Sequence, residues 1–279
     1  MSETTFAQNW GPTFIGFTFS LGMYGVALGQ YGFYLRAFPF DQKALRMLVL
    51  LIFIMDSLQS YGMIVYFRTL FTLCHRNTAP ACLSVLPWEL FMAVVLSYVV
   101  TFIVQSFYAH RVWIISGRNK LITVAVLTTT LAQFVLGMMC AGKAIRTRSV
   151  SALYTSMLTG GAAAGLSAFC DTLITGSVFF YLNRRRTGVK RVATSIQQLV
   201  DVIVNMGLFT CLVSLVMFVC YSIQKDTYLV GAPGPTLCKS YVNSMLAVLN
   251  ARKSIRDHAA ETYKLSTIPL SATDTPSLD

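Results

Sequence analysis

Read for its runs of apolar and polar positions, the chain resolves into seven long apolar stretches parted by short polar loops. They are Phe14–Leu35, Leu45–Phe67, Leu90–Ala109, Leu121–Ala141, Met157–Leu182, Leu199–Ile223 and Leu229–Leu249. A helix that crosses a bilayer needs roughly 20 mostly apolar residues, because each residue rises about 1.5 Å through about 30 Å of hydrocarbon. Every stretch meets that length, although Pro233, Pro235 and Lys239 interrupt the last. An open sheet would leave backbone groups unpaired in lipid, so the stretches are predicted to be helices. The expected fold is all-α: a polytopic membrane protein built as a seven-transmembrane helix bundle over residues 1–251. Residues 252–279 then form a polar tail, expected to be disordered, which ends in the Ser-, Thr- and Pro-rich LSTIPLSATDTPSLD. Met1 to Trp10 holds no Lys or Arg. The positive leader of a signal peptide is therefore missing, and the first stretch is expected to stay in place as a span.

The loops set an orientation. Arg36, Lys43, Arg46, Arg111, Arg118, Lys120, the run from Arg184 to Arg191 and the tail's Arg252, Lys253, Arg256 and Lys264 all fall on one side. Arg68, Arg76, Lys143, Arg146, Arg148 and Lys225 fall on the other. Basic loops stay cytoplasmic, which predicts the N-terminus outside and the C-terminus in the cytoplasm. Composition agrees with a lipid setting. Mean hydropathy is +0.61 and 12% of residues are charged, against about a quarter in soluble domains. The net charge of +11 follows from the loop bias, so no nucleic-acid partner is inferred. The lipid bilayer is the expected partner, in the plasma membrane or another membrane of the secretory pathway. Trp10 and Trp88 at the outer boundary and Trp113 at the inner one fit an aromatic belt.

The seven cysteines have no metal-binding spacing, and no HExxH motif accompanies them. No metal or other cofactor is expected. Cys140, Cys170, Cys211 and Cys220 read as small buried residues. Cys74 and Cys82 share the second loop, expected outside, where disulfides persist; they are a candidate bridge, with Cys238 a competing partner. Gly22, Gly25, Gly29 and Gly32 share one face of the first helix, and Gly161 and Gly165 form a GxxxG in the fifth. Both stripes suit close helix packing, within the monomer or in a homodimer.

Charge inside the spans is the unusual feature. Asp56, Asp171 and Lys239 lie at mid-membrane depth, Asp201 nearer the inner face, and the amides of Gln59, Gln105, Gln133, Asn205 and Asn243 join the same layer. An isolated charge there costs several kcal/mol, by some estimates about 3 and by others above 10, so these groups are expected to face inward and to pair. Lys239 is expected to meet Asp171 or Asp56, with Asn243 one turn on. The layer reads either as a structural ion pair or as a ligand pocket or ion path. A lysine in the last span also invites a retinal Schiff base. The third stretch, however, has no central carboxylate and the sixth has neither Trp nor Pro.

Three segments carry a family resemblance: SAFCDTLITGSVFFYLNRRRTGVKR (Ser167–Arg191), GLFT (Gly207–Thr210) and KSYVNSMLAVLNARK (Lys239–Lys253). They resemble the multi-pass membrane proteins of mushroom-forming fungi that carry the domain of unknown function 6534, strongest over about 165–253. The matching positions include Cys170, Asp171, Leu173 and Ile174, then Arg186, Thr187 and Gly188, then Lys239, Tyr241, Asn243 and Ser244. QSFYAHRVW (Gln105–Trp113) and GMYGV (Gly22–Val26) are similar too. This chain has RTGV where an aromatic often follows the glycine, and GLFT where GLLT is usual. The resemblance implies a seven-helix membrane protein and no established activity, and because Asp171 and Lys239 both lie in the shared segments it makes Asp171 the lysine's first expected partner and Asp56 the second. Three function classes therefore stand: a receptor-like sensor of an unknown ligand, first; a small-solute or ion transporter or channel using the mid-membrane charges; and a membrane enzyme, last, since no nucleophile–base or metal signature is present.

Overall fold

The computed structural model describes residues 3–74, 85–184, 190–223 and 228–266. Its elements are helical throughout. They are α1 (Glu3–Ala37), α2 (Lys43–Thr69) with a π-helical turn at Leu70–Cys74, α3 (Trp88–Ile115) and α4 (Lys120–Thr147). The short α5 (Val150–Tyr154) and a second π turn at Met157–Gly161 lead into α6 (Ala162–Arg184), α7 (Lys190–Ile223) and α8 (Pro233–Ser266). Val85 and Ser149 form an isolated antiparallel bridge between two loops. Six helical segments are long and apolar enough to cross a membrane: Trp10–Ala37, Lys43–Thr72, Trp88–Ile115, Lys120–Thr147, Val150–Tyr181 and Val202–Ile223. The chain is thus an all-helical, multi-pass protein suited to a lipid bilayer.

The outward side chains bear this out. Phe19, Leu58, Leu131, Phe179 and Leu212 all stand largely exposed on the bundle surface, where hydrocarbon can receive them. Hydroxyls on these helices bond back into their own backbone. Ser57 donates to the Phe53 carbonyl, Ser106 to Phe102, Thr128 to Val124 and Ser222 to Phe218. Such bonds let Ser and Thr sit in lipid with no polar group unsatisfied.

The eighth helix is different. It lacks the apolar length of the other six, yet residues 235–246 are buried at every position, polar ones included. It packs against α1, α2, α3 and α7 and so occupies the centre of the bundle. Shielded from lipid on all sides, it has no need to be apolar. Pro233 and Pro235 do not break it. They lie in its first turn, where the backbone N–H groups have no intrahelical acceptor and proline is tolerated. Nor does the polar stretch from Arg252 begin a disordered tail, as the composition suggested. The helix runs on to Ser266, through a sequence rich in Ala, Arg, Lys and Glu, all good helix formers. Residues 267–279 lie outside the description.

Contacts at both ends of the bundle hold the chain around this helix, one through the segment that leads into it and one through its own Arg252. At one end Trp10 is buried against Tyr66 and Tyr228, and the Thr13 hydroxyl donates to the Tyr228 carbonyl. Trp10 is thus an internal anchor and not a belt residue; Trp88, largely exposed, keeps the belt position. At the other end Arg252 pairs with Asp41 in the α1–α2 loop, 2.6 Å apart, and stacks over Phe38. The Arg252 guanidinium bonded to Asp41 lowers the Asp41 carboxyl below its usual range.

The two glycine stripes behave differently. In α6, a Cβ at Gly165 would come within 3.1 Å of the Phe218 ring on α7, so the GxxxG serves packing inside the monomer. In α1, a Cβ at Gly22, Gly25, Gly29 or Gly32 would meet nothing within 4 Å. That stripe faces away from the bundle, and the monomer does not use it. The close approach of α1 comes instead at Gly16, where the α8 end presents Ala232 so near that any Cβ would overlap its backbone.

Candidate functional site

The polar layer falls into two clusters, one on each side of α8. In the first, Lys239 donates to the Asp56 carboxylate at 2.6 Å, to the Asp56 carbonyl at 2.9 Å and to the Ser60 hydroxyl at 2.6 Å. Its ammonium has three N–H bonds to give, and all are used. The Tyr24 ring lies 5.0 Å from the nitrogen on the α1 side. Asp56 is 0% exposed and Lys239 1%. Asp56 Oδ2 has no hydrogen-bond partner among the described residues. This cluster ties α2 to α8.

Lysine's expected first partner, Asp171, is elsewhere. Lys239 and Tyr241 are two residues apart, about 200° around the helix, so they leave α8 on opposite sides. Lys239 meets α2, and Tyr241 meets α6. There Tyr241 Oη donates to Asp171 Oδ2 at 2.8 Å, and Gln105 Nε2 donates to Asp171 Oδ1 at 3.2 Å and to Tyr241 Oη at 3.0 Å. Ser167, one turn before Asp171, lies 2.8 Å from Tyr241 Oη. Depth allowed either carboxylate, and shared membership of the family-like segments favoured Asp171; the turn of the helix decides for Asp56. Among the described residues, no cation lies within ion-pair distance of Asp171.

Asn243 does not join the lysine's network through its side chain. Its amide donates to the Lys239 carbonyl one turn back and to the Met23 carbonyl of α1. Asn250 repeats the device on Gln30. Both asparagines staple α8 to α1. The Asp201 side chain, and the candidate Cys74–Cys82 bridge, lie outside the described residues. Cys238 is free and buried, as are Cys140, Cys170 and Cys220.

Between the clusters, toward the Trp10 end, lies a cavity of about 90 Å³, several times the room one water needs. Side chains of α2, α3, α4, α6, α7 and α8 line it, and none of them is charged. Its walls are mostly apolar, with Leu90, Ala164, Met217 and Leu237 among them. Gln59 and Gln133 face it from α2 and α4, and their buried Oε1 atoms have no partner among the described residues. Ser167 lines it as well, so the cavity abuts the Asp171 network. Sequence reading placed both glutamines in the polar layer without marking them as a pair. Only the bundle's geometry brings these two residues, 74 positions apart, to one space.

Residues 167–254 match the model of a family of unknown function (DUF6534). The matched segment supplies Ser167, Asp171, Lys239, Tyr241 and Asn243; Asp56, Gln59, Gln105 and Gln133 come from the helices before it. No curated protein and no solved structure matches the chain.

Proposed function

We propose that this chain is a receptor-like sensor of seven spans, six apolar helices around the polar α8, with the N-terminus outside and the end of α8 in the cytoplasm. Its ligand is a small neutral molecule, largely apolar, that carries a hydrogen-bond donor. The observation that carries this reading is the cavity with two orphaned glutamine oxygens. Two unmade hydrogen bonds in a buried apolar space are costly, and a ligand donor reaching either oxygen offsets that cost. A charged ligand has nothing to pair with there. The cavity sits toward the end of the bundle that the basic loops avoid, which suits a ligand arriving from outside. Ligand contact with Ser167 would bear on Tyr241 and Asp171, and contact with Cys238 would bear on the neighbouring lysine. Both are routes from the cavity to α8, whose far end carries Arg252 and Arg256.

The transport reading has one observation in its favour, the mid-membrane carboxylate of Asp171 without a counter-charge. Thermal unfolding of the purified protein separates the two. Neutral alcohols, ketones and lactones of six to ten carbons are compared with matched carboxylates and amines. Some neutral compounds should raise the unfolding midpoint by roughly 2–4 °C near ten times their half-saturating concentration. Ala164→Phe, which fills the cavity, should remove the effect while the protein still folds. Equal stabilisation by charged analogues, or an undiminished effect in Ala164→Phe, would defeat the sensor reading. Solute flux across proteoliposomes, lost on changing Asp171, would favour transport.

A further inference from the structure

A second, much smaller cavity lies on the other side of Tyr241, toward the Asp41 end. Its volume is about 10 Å³, room for a single water-sized occupant. Asp171, Thr175, Thr210, Tyr241 and Ser244 bring oxygens to it from α6, α7 and α8. Thr210 Oγ1 donates to the Gly207 carbonyl at 3.0 Å and also meets the Asp171 carboxylate, and Ser244 Oγ donates to the Tyr241 carbonyl at 2.8 Å and meets the Tyr108 hydroxyl. Tyr241 spends its proton on Asp171. The oxygens of these three groups border the cavity beside a carboxylate. Thr175 is 8% exposed, and its hydroxyl oxygen is buried with no partner among the described residues. The Tyr108 hydroxyl completes the lining from α3.

A space bounded chiefly by acceptors, with one negative charge at its wall, calls for a positive occupant. We propose that this cavity is a binding site for one small monovalent cation, Na⁺ in size, held by the Asp171 carboxylate and the hydroxyl oxygens of Thr210, Ser244 and Thr175. Hard oxygen donors select an alkali or alkaline-earth ion over softer metals. Among the described residues no three His, Cys, Asp or Glu side chains come together in a way that could hold a metal ion. A single carboxylate balances a single charge, which sets a divalent ion aside. The 10 Å³ volume requires that the ion shed its water and take protein oxygens in exchange, as ions do in selective filters. The charge balance of the interior points the same way. Among the described residues Asp56 pairs with Lys239, and no cation lies within ion-pair distance of Asp171. A bound cation neutralises the layer and draws α6, α7 and α8 together at one point. This site stands apart from the larger cavity and does not depend on the sensor reading.

The test is the unfolding midpoint of the purified full chain in NaCl against choline chloride at equal ionic strength, with LiCl and KCl as size comparators. Sodium should raise the midpoint saturably, by roughly 2–4 °C near ten times its half-saturating concentration. Asp171→Asn should abolish the difference between sodium and choline. Should that variant fail to fold, Thr210→Val keeps the carboxylate and removes one ligand oxygen. It should raise the half-saturating sodium concentration about tenfold, read as the shift between sodium and choline within that variant. Equal midpoints in sodium and choline at every concentration would overturn the site. A midpoint that responds to pH but to no cation would overturn it too, and would make a proton the charge that compensates Asp171.

Discussion

Lys239 makes three short bonds while buried from solvent, and each constrains a different atom. Taking two ions out of solvent is expensive, and their attraction recovers that cost only while both are present. The pair is therefore a lock more than a source of stability. Lys239→Met should destabilise the protein by about 3–5 kcal/mol, because Asp56 is then stranded as a buried charge. Adding Asp56→Leu should restore most of the loss. Adding Asp171→Leu should restore none, since that carboxylate bonds to Tyr241 and Gln105 and not to the lysine. Unfolding of the two double mutants in one detergent decides the point, and equal rescue by both would refute the assignment. The sequence reading saw the charges, their depth and their need to pair. It could not see which carboxylate the lysine meets. Depth follows from counting residues along each helix, whereas azimuth depends on how helices distant in sequence rotate against one another.

Among the elements, α1 and α8 show what hydrophobic patterning can and cannot say. The six lipid-facing helices were legible because lipid rewards apolar side chains wherever they touch it. The central helix was harder to place, because a helix surrounded by protein obeys packing and hydrogen bonding instead. Its continuation from Arg252 to Ser266 was missed altogether, since polarity was read as disorder while the local helix formers were passed over. The glycines of α1 were read as one packing stripe. In the structure the packing glycine is Gly16, outside the stripe, and Gly25 looks away from the bundle. The two positions should respond to the same change with opposite signs. Gly25→Ala places a methyl in open space and removes glycine's helix penalty, and should stabilise the monomer by roughly 0.5–1 kcal/mol. Gly16→Ala drives a methyl into the Ala232 backbone and should cost about 1–3 kcal/mol. Denaturation of both variants in parallel measures the difference. A loss of stability at Gly25 would instead mean that the stripe is covered by something outside the monomer.

At the scale of the whole molecule, burial and charge divide the chain by physical environment. Large apolar side chains cover the outside of the bundle, Asp56, Asp171 and Lys239 are buried within it, and the loops of one end carry a group of basic residues. That end holds Arg36, Arg46, Arg118 and Arg252, with Asp41 paired among them. The positive-inside rule rests on the cost of carrying Lys and Arg across the membrane, and it acts on short loops like these. An even number of spans would put both termini on one side. The expected outcome, with α8 counted as a span despite its polarity, is odd: seven crossings and the termini on opposite sides. Epitope tags at the two ends, tested in intact and in permeabilised cells, report this directly. The N-terminal tag should be accessible in intact cells and the C-terminal tag only after permeabilisation. Tags accessible together would mean that α8 does not cross. The burial of residues 235–246 on every face would then need six helices to enclose a helix that enters and leaves by the same side.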